Sequence, residues 1–260
     1  MHVPAELDPL ANLLSREGFV AARDEATELL ERASGDVAVL GALVARRMQG
    51  EPLAWITGGV TFCGVHVRVD SGVYVPRWQS EPLARRAIER LPARGVAVDL
   101  CTGAGAIATA LQAHRPEARV VATEVDERAA ACASSNAVEV YRGDLFAPLP
   151  AALADSADVV VGVVPYVPTA ALRLLPRDTL SWETSLAYDG GADGTAILRR
   201  VLDEGRRFLR HSGALLLELG GEQATALSGD LDRLGYADHA VLLDDDGDVR
   251  GIEATYAPGP

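Results

Sequence analysis

Cysteine is scarce in this 260-residue chain: Cys63, Cys101 and Cys132, with no Cys-x-x-Cys pair among them. An odd, scattered set excludes a disulfide framework and a thiolate zinc site, and it suits a reducing compartment, the cytoplasm. The five histidines, at 2, 66, 114, 211 and 239, share no ligand spacing, so no metal is expected. No uninterrupted apolar run approaches the ~18 to 20 residues that span a bilayer, and Met1 to Asp8 lacks the basic segment of a secretory signal. A membrane partner is not expected. Positive charge is in deficit too: 24 basic against 37 acidic residues leave a net charge of −13. With so few cations to displace phosphate counterions, nucleic acid is not the expected partner. The pairs Arg85-Arg86 and Arg199-Arg200 sit beside acids at helical spacing and read as solvated faces.

What is present is a core. Hydrophobic residues make up 48% of the chain and the mean hydropathy is +0.10, which excludes general disorder. The length suits one large domain, or a medium one with a small companion.

Residues 1–50 form a helical pattern of three short runs. Leu10, Leu13 and Leu14 precede Gly18; Ala22, Ala26, Leu29 and Leu30 precede Gly35; Val39, Leu40, Leu43 and Val44 precede Gly50. Each glycine suits the position just past a helix end. From 51 to 77 the pattern shortens to strand-like pieces, Trp55-Ile56-Thr57, Val60-Thr61-Phe62, Val65 to Val69 and Val73-Tyr74-Val75, read as a β-hairpin linker. Ser80 is expected to cap the helix that carries Leu83, Ala87, Ile88 and Leu91. From 78 to 260 strands and helices alternate. Strands are expected at 95–100, 119–124, 138–141, 157–164, 214–219, 238–243 and 250–256, with helices near 105–114, from 127, at 195–209 and at 222–234. That alternation predicts an α/β domain whose mostly parallel sheet is covered by helices on both faces, with ligands bound beyond the carboxyl ends of the strands. The connection from Pro165 to Gly194 is too long for a plain turn and is read as functional.

One stretch carries the strongest signal. The apolar run Val96 to Leu100 enters Cys101-Thr102-Gly103-Ala104-Gly105 and emerges as a helix, the form of a strand, tight loop and helix N-terminus that holds a nucleotide. Glycines at 103 and 105 accept positive φ and let the backbone approach a ligand. Glu124 follows about 20 positions later at a second strand end, where its carboxylate suits ribose hydroxyls. Gly103-x-Gly105-x-x-Ala108 also satisfies the dinucleotide fingerprint, so an NAD-type oxidoreductase is an alternative. Against it stand Asp99, suited to a cationic amino-acid end, and Asp144 in the turn Gly143-Asp144-Leu145-Phe146, suited to an adenine amine. Together with Glu124 they outline a pocket for S-adenosylmethionine.

With these residues the chain resembles the HemK/PrmC group of S-adenosylmethionine-dependent methyltransferases, which methylate the side-chain amide of a glutamine in class I peptide-chain release factors. The resemblance runs through the helical unit, Gly50 to Gly58, Val75-Pro76-Arg77, Asp99 to Gly105, Gly143 to Phe146, and Leu186 to Gly194. It implies a class I methyltransferase fold, Rossmann-like and seven-stranded. It also implies a cofactor site of Asp99, Cys101, Thr102, Gly103, Ala104, Gly105, Glu124, Val125, Gly143, Asp144 and Leu145.

Two motifs depart from the group. Its Asn-Pro-Pro-Tyr appears here as Val163-Val164-Pro165-Tyr166, and its Pro-Arg-Pro-x-Thr-Glu as Pro76-Arg77-Trp78-Gln79-Ser80-Glu81. An amide nitrogen is a poor nucleophile whose NH₂ must be aimed by acceptors, one of them the group's Asn side chain. Val163 has no polar side-chain atom, and losing one such hydrogen bond costs on the order of 2–4 kcal/mol, ~30- to 1,000-fold in rate. Val163, Pro165 and Tyr166 are therefore the acceptor-positioning candidates, with Pro76, Arg77, Trp78 and Glu183 as acceptor-pocket residues and Asp178 as a further loop acid. Three readings stay open: a methyltransferase with an altered acceptor, an amine, hydroxyl or other amide on a small molecule or peptide; a release-factor glutamine methyltransferase that tolerates Val163; and a silent module that binds the cofactor or a protein partner.

Overall fold

A computed structural model describes residues 6–175, 177–244 and 246–258, with the backbone alone at 177, 178 and 180. The chain divides into two compact units, Met1–Gly59 and Val60–Pro260.

The first unit is helical: α1 (Leu7–Arg16), α2 (Ala22–Ala33), α3 (Val37–Met48) and α4 (Leu53–Thr57). Gly18, Gly35 and Gly50 all take positive φ immediately after the capping residues of α1, α2 and α3. Leu10, Leu14, Ala26, Leu29 and Leu43 bury one face of each helix in a common core. The expected strand at Trp55-Ile56-Thr57 is instead α4. Pro52 starts that turn, and Gly58 at φ +96° ends it after Ile56 has joined the helical core. A bidentate pair from Arg47 to Glu25, 2.6 and 3.1 Å, ties α3 to α2.

In the second unit, β1 (Gly59–Phe62) and β2 (Val65–Arg68) make a hairpin. Its two turn residues, Cys63 and Gly64, both have positive φ, the turn whose twist matches the strands. Residues 73–75 form no strand. The remaining elements are α5 (Glu81–Arg90), β3 (Val96–Leu100), α6 (Ala106–His114), β4 (Arg119–Glu124), α7 (Glu127–Ser135), β5 (Glu139–Arg142), β6 (Ala157–Gly162), α8 (Arg177–Trp182), α9 (Ala196–Gly205), β7 (Leu209–Glu218), α10 (Gln223–Arg233), β8 (Tyr236–Leu243) and β9 (Val249–Tyr256). Ser80 precedes α5 without a side-chain capping bond.

Seven strands form one sheet in the order β5-β4-β3-β6-β7-β9-β8, parallel from β5 to β7 and antiparallel where β9 joins β7 and β8. The fold class is the expected one. Val98, Leu100, Val160, Leu215 and Leu217 are fully buried, as strands covered on both faces require. Helix α9 ends earlier than its pattern predicts, at Gly205, which packs against Phe146 and Tyr236. The chain then re-enters the sheet at Leu209.

The chain winds outward from β3 in one direction, through β4 to β5, and then returns to place β6 on the other side. Leu100 pairs with Gly162, so the loops that leave β3 and β6 diverge from adjacent points and open a crevice between them. The loop after β3 is held tightly. Gly105 has φ +85°, and a Cβ there would meet Ala133 Cβ and Val138 Cγ2 at 3.1 Å, so this glycine lets α7 close against the loop. Gly105→Ala is predicted to destabilise the protein by about 1–3 kcal/mol through strain and overpacking, read as a lower denaturant midpoint at unchanged m-value.

Candidate active site

The crevice is an open, mainly apolar cavity. Asp99, Cys101, Thr102, Gly103, Ala104, Glu124, Val125, Asp144 and Leu145 line one part of it. Pro76, Arg77, Val163 and Pro165 line another.

At the first end, the strands deliver their terminal acids. Glu124 is buried and accepts from the Gly103 amide through Oε2 and the Asp126 amide through Oε1, both at 2.9 Å. Burial raises its pKa despite these bonds. Each oxygen keeps a lone pair for a further donor. Gly103 has φ +58°, and a Cβ there would meet nothing within 4 Å, so its backbone is open to a ligand. The two glycines thus divide their work, Gly103 facing open space and Gly105 the helix behind.

Asp99 is almost fully buried. Its Oδ2 accepts from Thr102 Oγ1 at 2.5 Å and from the Ala108 amide at 3.1 Å, which caps the first turn of α6. Its Oδ1 has no hydrogen-bond partner among the described residues. Burial pushes the carboxyl up to about 7. An orphaned carboxylate oxygen bordering a cavity fits a cationic ligand group, and the ammonium of S-adenosylmethionine has that chemistry. Asp144 accepts two bonds from Arg200, 3.2 Å to Oδ1 and 2.9 Å to Oδ2, an ion pair that orients its carboxylate. Gly143 does not line the cavity; a Cβ there would press on Pro148 at 2.9 Å.

At the second end, Val163 follows directly on the Leu100–Gly162 pairing and presents an apolar side chain where the group's Asn would stand. Tyr166 is not in the cavity wall; its hydroxyl donates to Glu218 at 3.0 Å, and its carbonyl accepts from Gln223 Nε2 at 2.7 Å. Trp78 is also absent from the wall and is 72% exposed. Glu183 lies behind the wall, where Arg77 and Tyr188 bond to it. The side chain of Asp178 lies outside the described residues.

The packing of two positioning segments is visible only in the structure. Asn136, just past α7, receives the Arg68 amide at 2.9 Å and donates to the carbonyls of Arg68 at 2.9 Å and Ala104 at 2.8 Å, joining the hairpin to the cofactor loop. A lone Asn at a helix end gives no hint of such long-range bonds. The Gly190 to Gly194 stretch packs backbone against Pro165 and Tyr166: a Cβ on Gly190 would lie 2.8 Å from Pro165 O, and one on Gly194 2.2 Å from Tyr166 O. The pattern Asp-Gly-Gly-Ala-Asp-Gly was its visible signal.

Known proteins agree with this architecture. Residues 78–160 match the family model "Methyltransferase small domain". The chain is 33% identical to the release factor glutamine methyltransferase of Geobacter sulfurreducens over 93% of its own length and 92% of that protein's. It is 34% identical to the 4-amino-L-phenylalanine/4-methylamino-L-phenylalanine methyltransferase of Streptomyces pristinaespiralis, over 76% of this chain and 70% of that protein. The ribosomal protein L11 methylase of Lactobacillus delbrueckii subsp. bulgaricus shares the fold at 17% identity, with a TM-score of 0.52 over 74% of this chain and 85% of that one. A buried acid at the end of β3, a second at the end of β4 and a full-length relative lead to one conclusion. The chain belongs to the HemK/PrmC family and is an S-adenosylmethionine-dependent methyltransferase.

Proposed function

We propose that this methyltransferase acts on an acceptor other than the release-factor glutamine, namely an amine on a small molecule or peptide. The observation that carries this reading is Val163, an apolar side chain in the cavity wall at the point where amide transfer needs a hydrogen-bond acceptor. S-adenosylmethionine, when bound, supplies a methyl group activated by its sulfonium. Glu124 would offer its free lone pairs to the ribose hydroxyls, Asp99 Oδ1 would accept from the ammonium, and Asp144 would accept from the adenine amine. Thr102, Gly103 and Ala104 give the backbone approach, with Cys101, Val125 and Leu145 as apolar walls. At the other end Val163 and Pro165 exclude water, which suits an amine whose lone pair is already free and needs desolvation more than aiming. The Streptomyces pristinaespiralis relative, named for an arylamine acceptor, supports this choice. In this reading residues 78–260 carry the cofactor chemistry, the segment at 60–77 adds acceptor walls, and three free thiols suit the cytoplasm.

A second reading has its own support. Seven relatives at 30–38% identity are named release factor glutamine methyltransferases. Pro165 and the carbonyls of Val163 and Val164 survive to serve an amide. The two readings separate in one assay. With cofactor and either 4-amino-L-phenylalanine or an intact release factor, mass spectrometry should find the amine methylated and the glutamine methylated ~30-fold or more slowly. Faster transfer to the release factor would support the second reading.

The cofactor end predicts a pH dependence. A carboxyl raised from 3.8 to about 7 in the folded protein contributes stability that is complete below 3.8 and lost as pH rises through 7. A bound ammonium favours the ionised form, so affinity runs the opposite way. Calorimetry with S-adenosylhomocysteine should show affinity rising as pH increases from 5, by at most about tenfold per unit, and levelling above 7, with proton release below that point. Asp99→Asn should bind more weakly and lose this dependence; a flat profile in the parent would remove Asp99 from the ammonium site.

A further inference from the structure

We infer that Arg77 is a carboxylate-binding residue of the cavity, its guanidinium pre-set by Glu183 and Tyr188 to receive an anionic group from the methyl acceptor or from the cofactor. Arg77 and Glu183 form an ion pair with unequal halves. The Glu183 side chain is 1% exposed and accepts from the Val75 amide at 3.0 Å, from Arg77 Nη2 at 2.7 Å and from the Tyr188 hydroxyl. The Arg77 side chain is 37% exposed and lines the cavity.

The remaining contacts fix the guanidinium without using it up. Nη2 also reaches the Tyr188 hydroxyl at 3.3 Å, and the side chain still keeps 37% of its surface exposed. The guanidinium carbon lies 5.1 Å from the centre of the Tyr74 ring, and Tyr74 meets Tyr188 edge-on at 5.5 Å. This clamp has already immobilised a side chain that otherwise loses much rotamer entropy on binding. Although burial works against it, the Glu183 carboxylate holds Arg77 above its ordinary pKa, so the charge is permanent.

Charge around the cavity is segregated. The carboxyl groups in its wall belong to Asp99, Glu124, Asp126 and Asp144, and Arg77 is the sole cation among the described lining residues. Tyr74, Pro76 and Val163 share the wall with it, and a charge-assisted hydrogen bond is strong where such groups shield it from water. The amino-acid end of the cofactor carries a carboxylate, and so does an amino-acid-like amine acceptor. The inference rests on the methyltransferase cavity and not on the choice of an amine over a glutamine amide.

Calorimetry separates the sources. One ligand pair is S-adenosylhomocysteine and its decarboxylated analogue. The other, titrated with S-adenosylhomocysteine present, is 3-(4-aminophenyl)propanoate and the matching propanamide. In the parent at least one pair should favour the carboxylate by about tenfold or more, and that preference should fall below about threefold in Arg77→Gln. A preference in the first pair assigns Arg77 to the cofactor, and in the second to the acceptor. Because Arg77→Gln strands a buried Glu183, the double variant Arg77→Gln/Glu183→Gln is measured beside it and should show the same loss. No preference in either pair, or one that persists in both variants, overturns the inference. Neither outcome depends on methyl transfer, so failure here stays distinct from failure of the amine reading.

Discussion

Glu124 holds the donor half of the cavity together. Its side chain receives the amides of Gly103 and Asp126, and its own carbonyl receives the Gly143 amide at 2.9 Å. The loops after β3, β4 and β5 are thus tied to one residue at the end of β4. The parallel sheet makes this possible, because it ends neighbouring strands at one edge and leaves their terminal groups facing one space. A carboxylate with two amide donors keeps lone pairs free on the open side. The bonds that order the loop are therefore the ones that aim the acid.

The same topology divides the cavity's chemistry. Leu100 and Gly162 are paired, so the loops that begin at Cys101 and Val163 leave adjacent strands side by side. One end is polar and acidic, with Asp99, Glu124 and Asp144; the other is apolar, with Arg77 as its one charge. In the proposed function the methyl group passes between these environments. The polar end depends on the Asp99 and Glu124 carboxylates and the amides that donate to them. The apolar end depends on single side chains such as Val163, which makes none of the Glu124 bonds.

Sheet and donor loop were legible in the sequence because both rest on local rules. Buried strands read as apolar runs, and strand, tight loop and helix form a contiguous motif. The expectation for Trp55 to Thr57 failed because an aromatic and two β-branched residues favour a strand, whereas Pro52, Gly58 and the burial of Ile56 in the helical core impose a helical turn. Gly103 and Gly105 look alike in the sequence, and only packing tells that one is open and the other closes on Ala133. Trp78 suggested a wall because indoles usually bury, yet the turn at Trp78–Ser80 leaves it exposed. Asn136 and Glu183 act across 32 and 106 positions, distances over which sequence spacing carries no information.

Val163→Asn tests the division between donor and acceptor most directly. With intact release factor as acceptor, the account predicts that this variant raises kcat/KM for glutamine methylation by ~30-fold or more over the parent while S-adenosylhomocysteine affinity stays unchanged. Equal and efficient glutamine methylation by parent and variant would contradict it, and would return the chain's acceptor to the release factor.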